Sequence, residues 1–335
     1  MTKRCNYDCG YCSSFIHDAV SPFVKLSHVD TLIEACRVWC GTDREIKWSI
    51  TGGEPFVDPN FLLVLKRLHT QPFTHQINAI TNGSLPLDTY IAATDYLAGL
   101  TFSLHFERSP DEIARTLDTI VSLRQQTNIM ISVNIMFLPG TSDRVLDVID
   151  TLKHNSVSYV VRLIRPIDQE AAQYQPYEGK SKQALLKSAD QQRQLRTQFV
   201  VENTVRADSN IQEYYSADEI QLIQQLNTAP NWVNAGIWLQ DLTYQEINTD
   251  QLVSASRINF KGWTCYAGVD SIYIDWDGTV YRGLCLNDGA MGHISNADFV
   301  QRTTQPTQCG MTRCSCNIDI AARKAVDSDH MALIT

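Results

Sequence analysis

Three cysteines crowd one short stretch, Cys5-Asn6-Tyr7-Asp8-Cys9-Gly10-Tyr11-Cys12, in the spacing C-x3-C-x2-C. Three thiolates so close on a loop can wrap one corner of a cubane iron–sulfur cluster and leave its fourth iron without a protein ligand. An iron with an open position can bind and reduce a small molecule, whereas a structural site is closed. Zinc is the competing reading. A structural zinc site takes four protein ligands, and no fourth Cys or His stands at zinc-finger spacing, His17 being the nearest.

A second motif, Ile50-Thr51-Gly52-Gly53-Glu54-Pro55, directly follows the apolar-alternating run Ile46-Lys47-Trp48-Ser49-Ile50. A strand that ends on two glycines lets backbone approach a ligand closely, and Glu54 can accept from an ammonium group. In this order and at this separation the two motifs resemble the radical S-adenosylmethionine (radical SAM) superfamily, over the N-terminal two-thirds of the chain by motif order and strand rhythm. The resemblance implies a 4Fe–4S cluster on Cys5, Cys9 and Cys12 whose open iron chelates the amino and carboxylate groups of S-adenosylmethionine. Tyr11 would lie beside the adenine, and Gly52, Gly53 and Glu54 would meet the methionine amino group. It implies reductive cleavage to a 5′-deoxyadenosyl radical that takes hydrogen from a substrate. It also implies an electron donor such as flavodoxin or ferredoxin.

The elements that must position these groups alternate from about residue 20 to 165, the rhythm of βα units around a parallel sheet. Val29, Leu32, Ile33, Cys36, Trp39 and Cys40 recur at helical spacing, which puts Cys36 and Cys40 on a buried face as small core residues. Helices are expected over 61–68, 109–124 and 142–153, the second opened by a Ser109-Pro110-Asp111-Glu112 capping box. Strands are expected over 76–81, 100–106, 129–138 and 159–164. The fold class is therefore α/β. The resemblance specifies it as a partial (β/α)6 TIM-type barrel in which sites gather at the C-terminal strand ends. Only Met1 to Arg4 precede the cysteine loop, so the first strand is expected to be missing or truncated and the sheet edge unpaired.

Ser103, His105 and Glu107 alternate and so share one side of their strand. By resemblance Ser103, Asn134 and Asn82 would assist at the methionine carboxylate and ribose. His105 is either an acid–base group facing substrate or a histidine satisfied in the barrel. Arg162 and Arg165, at the last strand, are candidates for clamping a carboxylate or phosphate of the substrate, against ordinary surface ion pairs.

Residues 167 to 258 are polar and read as a helical bridging segment, with helices near 183–200 and 216–226, the latter opened by a Ser216–Glu219 box. This separates a core over 1–166 from a module over 259–335. Five of the ten cysteines fall in that module: Cys265, Cys285, Cys309, Cys314 and Cys316. Between the first two, Ile272 to Tyr281 reads as a hairpin turning at Asp277-Gly278. This resembles the C-terminal twitch or shortened SPASM module of radical SAM enzymes, which implies an auxiliary 4Fe–4S cluster. Cys265 and Cys285 would be joined by two of Cys309, Cys314 and Cys316. Four thiolates suit zinc equally well.

At 335 residues the chain is long enough for a full α/β core and a second module. No apolar run reaches a membrane span and no signal-peptide core is present, so the expected location is the reducing cytoplasm, which an exposed low-potential cluster needs. The balance of 28 basic against 37 acidic residues gives −9 and disfavours nucleic acid as a partner. The expected activity is that of a radical SAM oxidoreductase or maturase acting on a small molecule or a peptide side chain. The alternatives are a radical transferase or isomerase acting on a nucleotide, sugar or RNA base, and a zinc-stabilised binding protein without catalysis.

Overall fold

The computed structural model describes residues 2–7, 9, 12, 21–164, 215–226, 234–239, 244–248, 258–312, 314 and 316–326. They fall into two compact units. The first takes residues within Met1–Val29, Cys40–Ser188 and Asn210–Thr228, the second those within Asp30–Trp39, Ala189–Ser209 and Ala229–Thr335. No helix among the described residues is long and apolar enough to cross a membrane.

After helix α1 (Leu26–Cys40), in which Cys36 and Cys40 are indeed buried, the first unit alternates strand and helix. The strands are β1 (Ile46–Ile50), β2 (Thr74–Thr81), β3 (Gly99–His105), β4 (Met130–Phe137) and β5 (Ser158–Leu163). Between them run α2 (Phe61–His69), α3 (Leu87–Ile91), α4 (Pro110–Gln126) and α5 (Ser142–His154). The sheet order β1-β2-β3-β4-β5 repeats the chain order and every pair is parallel. This is an α/β sheet compatible with a partial TIM-type barrel. The short α3 carries too little periodicity to be foreseen.

Period-2 alternation splits each strand. On β3 the side chains of Leu100, Phe102 and Leu104 are buried, as are Ile131, Val133, Ile135 and Phe137 on β4. They pack with the apolar stripes of the helices, among them Ile113, Ile120 and Leu123 of α4 and Val145, Ile149 and Leu152 of α5. Each such side chain contributes roughly 1.5–3 kcal/mol of burial. The alternate residues Thr101, Ser103, His105, Ser132, Asn134 and Met136 are only half-buried and line the other face. Register places Ser103 beside Asn134 and His105 beside Met136, with Val160 and Arg162 next in those two rows, one strand further on β5. The sheet thus has a dry apolar side and a polar side.

The Ser109 capping box forms as expected and starts α4. Its counterpart at Ser216 and Glu219 opens helix α6 (Ala217–Leu226), which packs with β5. Just before it, the buried Tyr215 hydroxyl donates to Phe137 O at 2.8 Å and accepts from Ile164 N at 2.9 Å, tying the ends of β4 and β5 together. The helix expected near 183–200 lies outside the described residues.

The second unit holds two sheets. One has the order β12-β8-β13-β6-β7, from β6 (Asn234–Leu239), β7 (Tyr244–Asn248), β8 (Thr264–Cys265), β12 (Thr307–Gln308) and β13 (Lys324–Val326). The other has the order β11-β10-β9, from β9 (Tyr273–Ile274), β10 (Thr279–Tyr281) and β11 (Ala290–His293). The β9–β10 pair is the expected hairpin. It turns at Gly278, whose φ of +91° suits glycine, and Asp277 Oδ1 accepts from Thr279 N at 2.9 Å. Strands β6 and β7 correct the reading of 167–258 as helical, because β6 pairs parallel with β13 from the far end of the chain. That long-range partner satisfies its backbone, and no local pattern announces it.

Candidate functional site

The segment expected to lack a strand is laid along the exit of β1. Gly53 N donates to Thr2 O at 2.8 Å and Glu54 N to Arg4 O at 2.9 Å, and Thr2 and Lys3 are buried. Gly52 and Gly53 are glycines for this reason: a Cβ on Gly52 would collide with the Thr2 carbonyl, and one on Gly53 with the Lys3 and Arg4 carbonyls. The close approach read from the sequence as room for a ligand is, on the Cβ side, room for the chain's own backbone. The cysteine loop therefore leaves from a fixed root.

Glu54 is fully buried. Its Oε1 accepts from Phe56 N at 3.0 Å and from the Thr81 hydroxyl at 2.9 Å, and its Oε2 from Asn82 N at 2.6 Å. Burial pushes its carboxyl pKa up, and these donors pull it back. Among the described residues no Lys or Arg forms an ion pair with it. A carboxylate taken out of water and left with neutral donors is a place for a cation.

Asn82 bridges this turn to the loop. Its Nδ2 donates to Asn6 Oδ1 at 3.0 Å and lies 3.8 Å from Cys5 Sγ, which also accepts from Tyr7 N at 3.4 Å. Burial raises the Cys5 thiol pKa, the Tyr7 amide opposes it, and the Glu54 charge raises it further, which places Glu54 in the thiol's electrostatic neighbourhood. The buried Cys9 has its Sγ 3.5 Å from His105 Nδ1, and Cys12 N donates to Cys9 O at 3.0 Å. His105 meets the Tyr7 ring edge-on at 5.8 Å, and the Arg108 guanidinium lies 4.5 Å from the centroid of that ring. Arg108 in turn pairs with Glu112 and holds that carboxyl at about 2. Tyr7, Arg108 and Glu112 form a buttress for the loop that the sequence reading missed. The aromatic between the first two cysteines was its one visible sign.

Ser103 and Asn134 sit side by side on the polar face of the sheet, and Asn134 Oδ1 accepts from Arg162 Nε at 3.3 Å. Tyr11 and Arg165 lie outside the described residues. Among those described, no three His, Cys, Asp or Glu side chains converge closely enough to hold a metal ion. The donor chemistry nevertheless fits a thiolate-bound cluster. Cys5, Cys9 and Cys12 stand on one loop as thiols outside any disulfide, and Cys5 Sγ already has N–H groups directed at it.

The second cysteine group is built differently. Cys265, Cys309 and Cys314 belong to a buried cluster with Phe260, Trp263 and Ile320. Burial first, then the Asp319 carboxylate, then Cys265 and Cys309 push the nearby Cys285 thiol up to about 12. Burial also holds Cys314 well above the ordinary thiol value, with Lys324 opposing and Cys285 and Cys309 adding. Cys285 thus senses Cys265 and Cys309, and Cys314 senses Cys285 and Cys309. Cys316 is pushed to about 11 by burial and then by Asp319, with no other thiol contributing. Buried Asp319 accepts from Cys285 N at 3.0 Å, and a Cβ on Gly283 would lie 2.6 Å from its Oδ1. All five thiols are free.

No protein-family model matches the chain. Two curated proteins are similar to it, the GTP 3′,8-cyclases of Clostridium perfringens strains SM101 and 13, each 26% identical over 178 residues. The match covers 50% of this chain and 55% of theirs, so the chain spans about half the length of the curated relatives it matches. Half-length likeness of this kind would carry little alone. Together with a trio of cysteines whose loop is rooted against the Gly52-Gly53-Glu54 turn, it agrees with the resemblance to the radical SAM superfamily.

Proposed function

We propose that Cys5, Cys9 and Cys12 hold a 4Fe–4S cluster with an open iron and that the adjoining strand ends bind S-adenosylmethionine. When bound, cluster and cofactor supply one electron and a 5′-deoxyadenosyl radical able to take hydrogen from a substrate. The observation that carries this reading is Glu54, a buried carboxylate without a cationic partner among the described residues, in the electrostatic neighbourhood of Cys5. The methionine ammonium is the missing cation. The backbone at Gly52 and Gly53 would border it, Asn82 would keep the loop against the turn, and Ser103 and Asn134 would present polar groups to the carboxylate and ribose. Tyr11 retains its expected place beside the adenine. His105 acts here as a partner of Cys9 and Tyr7 rather than as a proton carrier facing substrate.

For the substrate, similarity to proteins named as GTP cyclases favours a nucleotide over the small molecule or peptide side chain suggested by the module resemblance. Arg162, on the polar face, supplies a guanidinium suited to a phosphate. In the second unit, Cys265, Cys285, Cys309 and Cys314 would hold an auxiliary 4Fe–4S cluster in a twitch/SPASM-like module, leaving Cys316 outside, with zinc as the competing metal. Reducing equivalents would come from a flavodoxin- or ferredoxin-type donor.

The test is anaerobic reconstitution followed by reduction with dithionite. S-adenosylmethionine should shift the electron paramagnetic resonance of the reduced cluster and yield 5′-deoxyadenosine. An unshifted signal ends the proposal. Deuterium transferred to 5′-deoxyadenosine from labelled GTP, and not from a labelled peptide, would select the nucleotide reading.

A further inference from the structure

Lys324 is one of the most deeply buried residues of the second unit, with 1% of its surface exposed. Its Nζ donates to three backbone carbonyls around the short helix α7 (Asn317–Ala321): Asp319 O at 2.7 Å, Ile320 O at 2.9 Å and Ala322 O at 2.9 Å. The ammonium also sits 4.7 Å from the centroid of the Phe260 ring. All of its hydrogen bonds go to neutral groups, and among the described residues it has no ion pair with a carboxylate. Its charge is hydrogen-bonded to carbonyls, and the buried Asp319 carboxylate is the charge that opposes it.

The cysteine group lies within reach of that charge. Phe260, against which the ammonium rests, packs in the same buried cluster as Cys265, Cys309 and Cys314. Among residues shielded from water, charges act on one another far more strongly than across solvent. Four thiolates around a divalent metal, or around a 4Fe–4S core of charge +2, leave a net charge of about −2, whose desolvation opposes assembly. A cap for a five-residue helix does not need an ammonium, since a neutral amide donor or water satisfies carbonyls as well.

We propose that Lys324 is a positioning residue for the second cysteine site, a fixed buried cation that offsets the thiolate charge and raises the affinity of the site for a metal centre. This rests on reading Cys265, Cys285, Cys309 and Cys314 as ligands. Strand register agrees with it: Lys324 of β13 stands directly opposite Cys265 of β8.

The experiment uses the full chain with Cys5, Cys9, Cys12, Cys36 and Cys40 replaced by Ala, so that only the five C-terminal thiols remain to bind metal. Anaerobic titration with Co(II), followed by thiolate-to-cobalt absorption and chelator competition, gives the affinity. Lys324→Met and Lys324→Gln should each weaken binding at least tenfold, while Lys324→Arg keeps it within about twofold. Gln can still donate to the carbonyls, so a loss with Gln reports charge and not capping. Unchanged affinity in either neutral variant overturns the inference. If both neutral variants fold poorly by near-ultraviolet circular dichroism, Asp319→Asn decides: removing the opposing charge should tighten Co(II), and unchanged or weaker binding overturns the proposal. A parent chain that binds no Co(II) overturns the ligand reading itself, and the inference with it.

Discussion

The two cysteine groups lie in opposite surroundings. The N-terminal trio sits on a loop held by directional polar contacts: amides at Cys5 Sγ, an imidazole at Cys9, and a guanidinium over Tyr7. The C-terminal thiols sit among Phe260, Trp263 and Ile320, with one ammonium and one carboxylate buried nearby. A loop fixed from one side by hydrogen bonds leaves another side for a ligand, whereas thiols in an apolar core are suited to a closed, four-coordinate site. On the proposed reading the first group is the open site and the second the closed one.

The sharpest way to break this comparison is to remove one thiol from each. Cys9→Ala should abolish 5′-deoxyadenosine formation, while Cys316→Ala, outside the four proposed ligands, should leave the iron content unchanged. Equal losses in both variants would erase the distinction. Iron analysis is the next largest readout: about eight irons per reconstituted chain, falling to about four in Cys285→Ala. One zinc in place of the second four irons would make the C-terminal site structural.

Smaller effects sharpen the picture of the loop. Gly53→Ala should destabilise the first unit by about 1–3 kcal/mol in denaturant titration, because the new Cβ forces Lys3 and Arg4 away from the turn. It should also lower iron retention at the N-terminal site and leave Co(II) binding by the other cysteines intact. Ser109→Ala should cost about 1 kcal/mol through the lost cap of α4. The carboxyl of Glu112 is held at about 2 in the fold against an ordinary 4.5, so its contribution is present above 4.5 and lost as pH falls toward 2. Glu112→Gln should flatten that part of the acid melting profile.

Much of the first unit was legible because its signals are local. Strand alternation over 100–106 and 129–138, the Ser109 box and the Asp277-Gly278 turn each declare themselves within a few residues, and each forms. What stayed hidden depends on partners far away in sequence. The glycines at 52 and 53 look like a ligand cradle until Thr2–Arg4 is seen lying on them. Strands β6 and β7 have no visible reason to form without β13. Nothing local in the sequence marks Lys324 and Asp319 as buried, yet both are.

The root of the cysteine loop acts as the zero mark of a ruler. Thr2–Arg4 is pinned by main-chain hydrogen bonds and by glycines that tolerate no displacement, and Cys5 is the very next residue. Inserting a single residue between Arg4 and Cys5 would therefore shift the three sulfurs together while their mutual spacing stayed intact. A pattern search would still score the motif as perfect, although its offset from Glu54 had been lost.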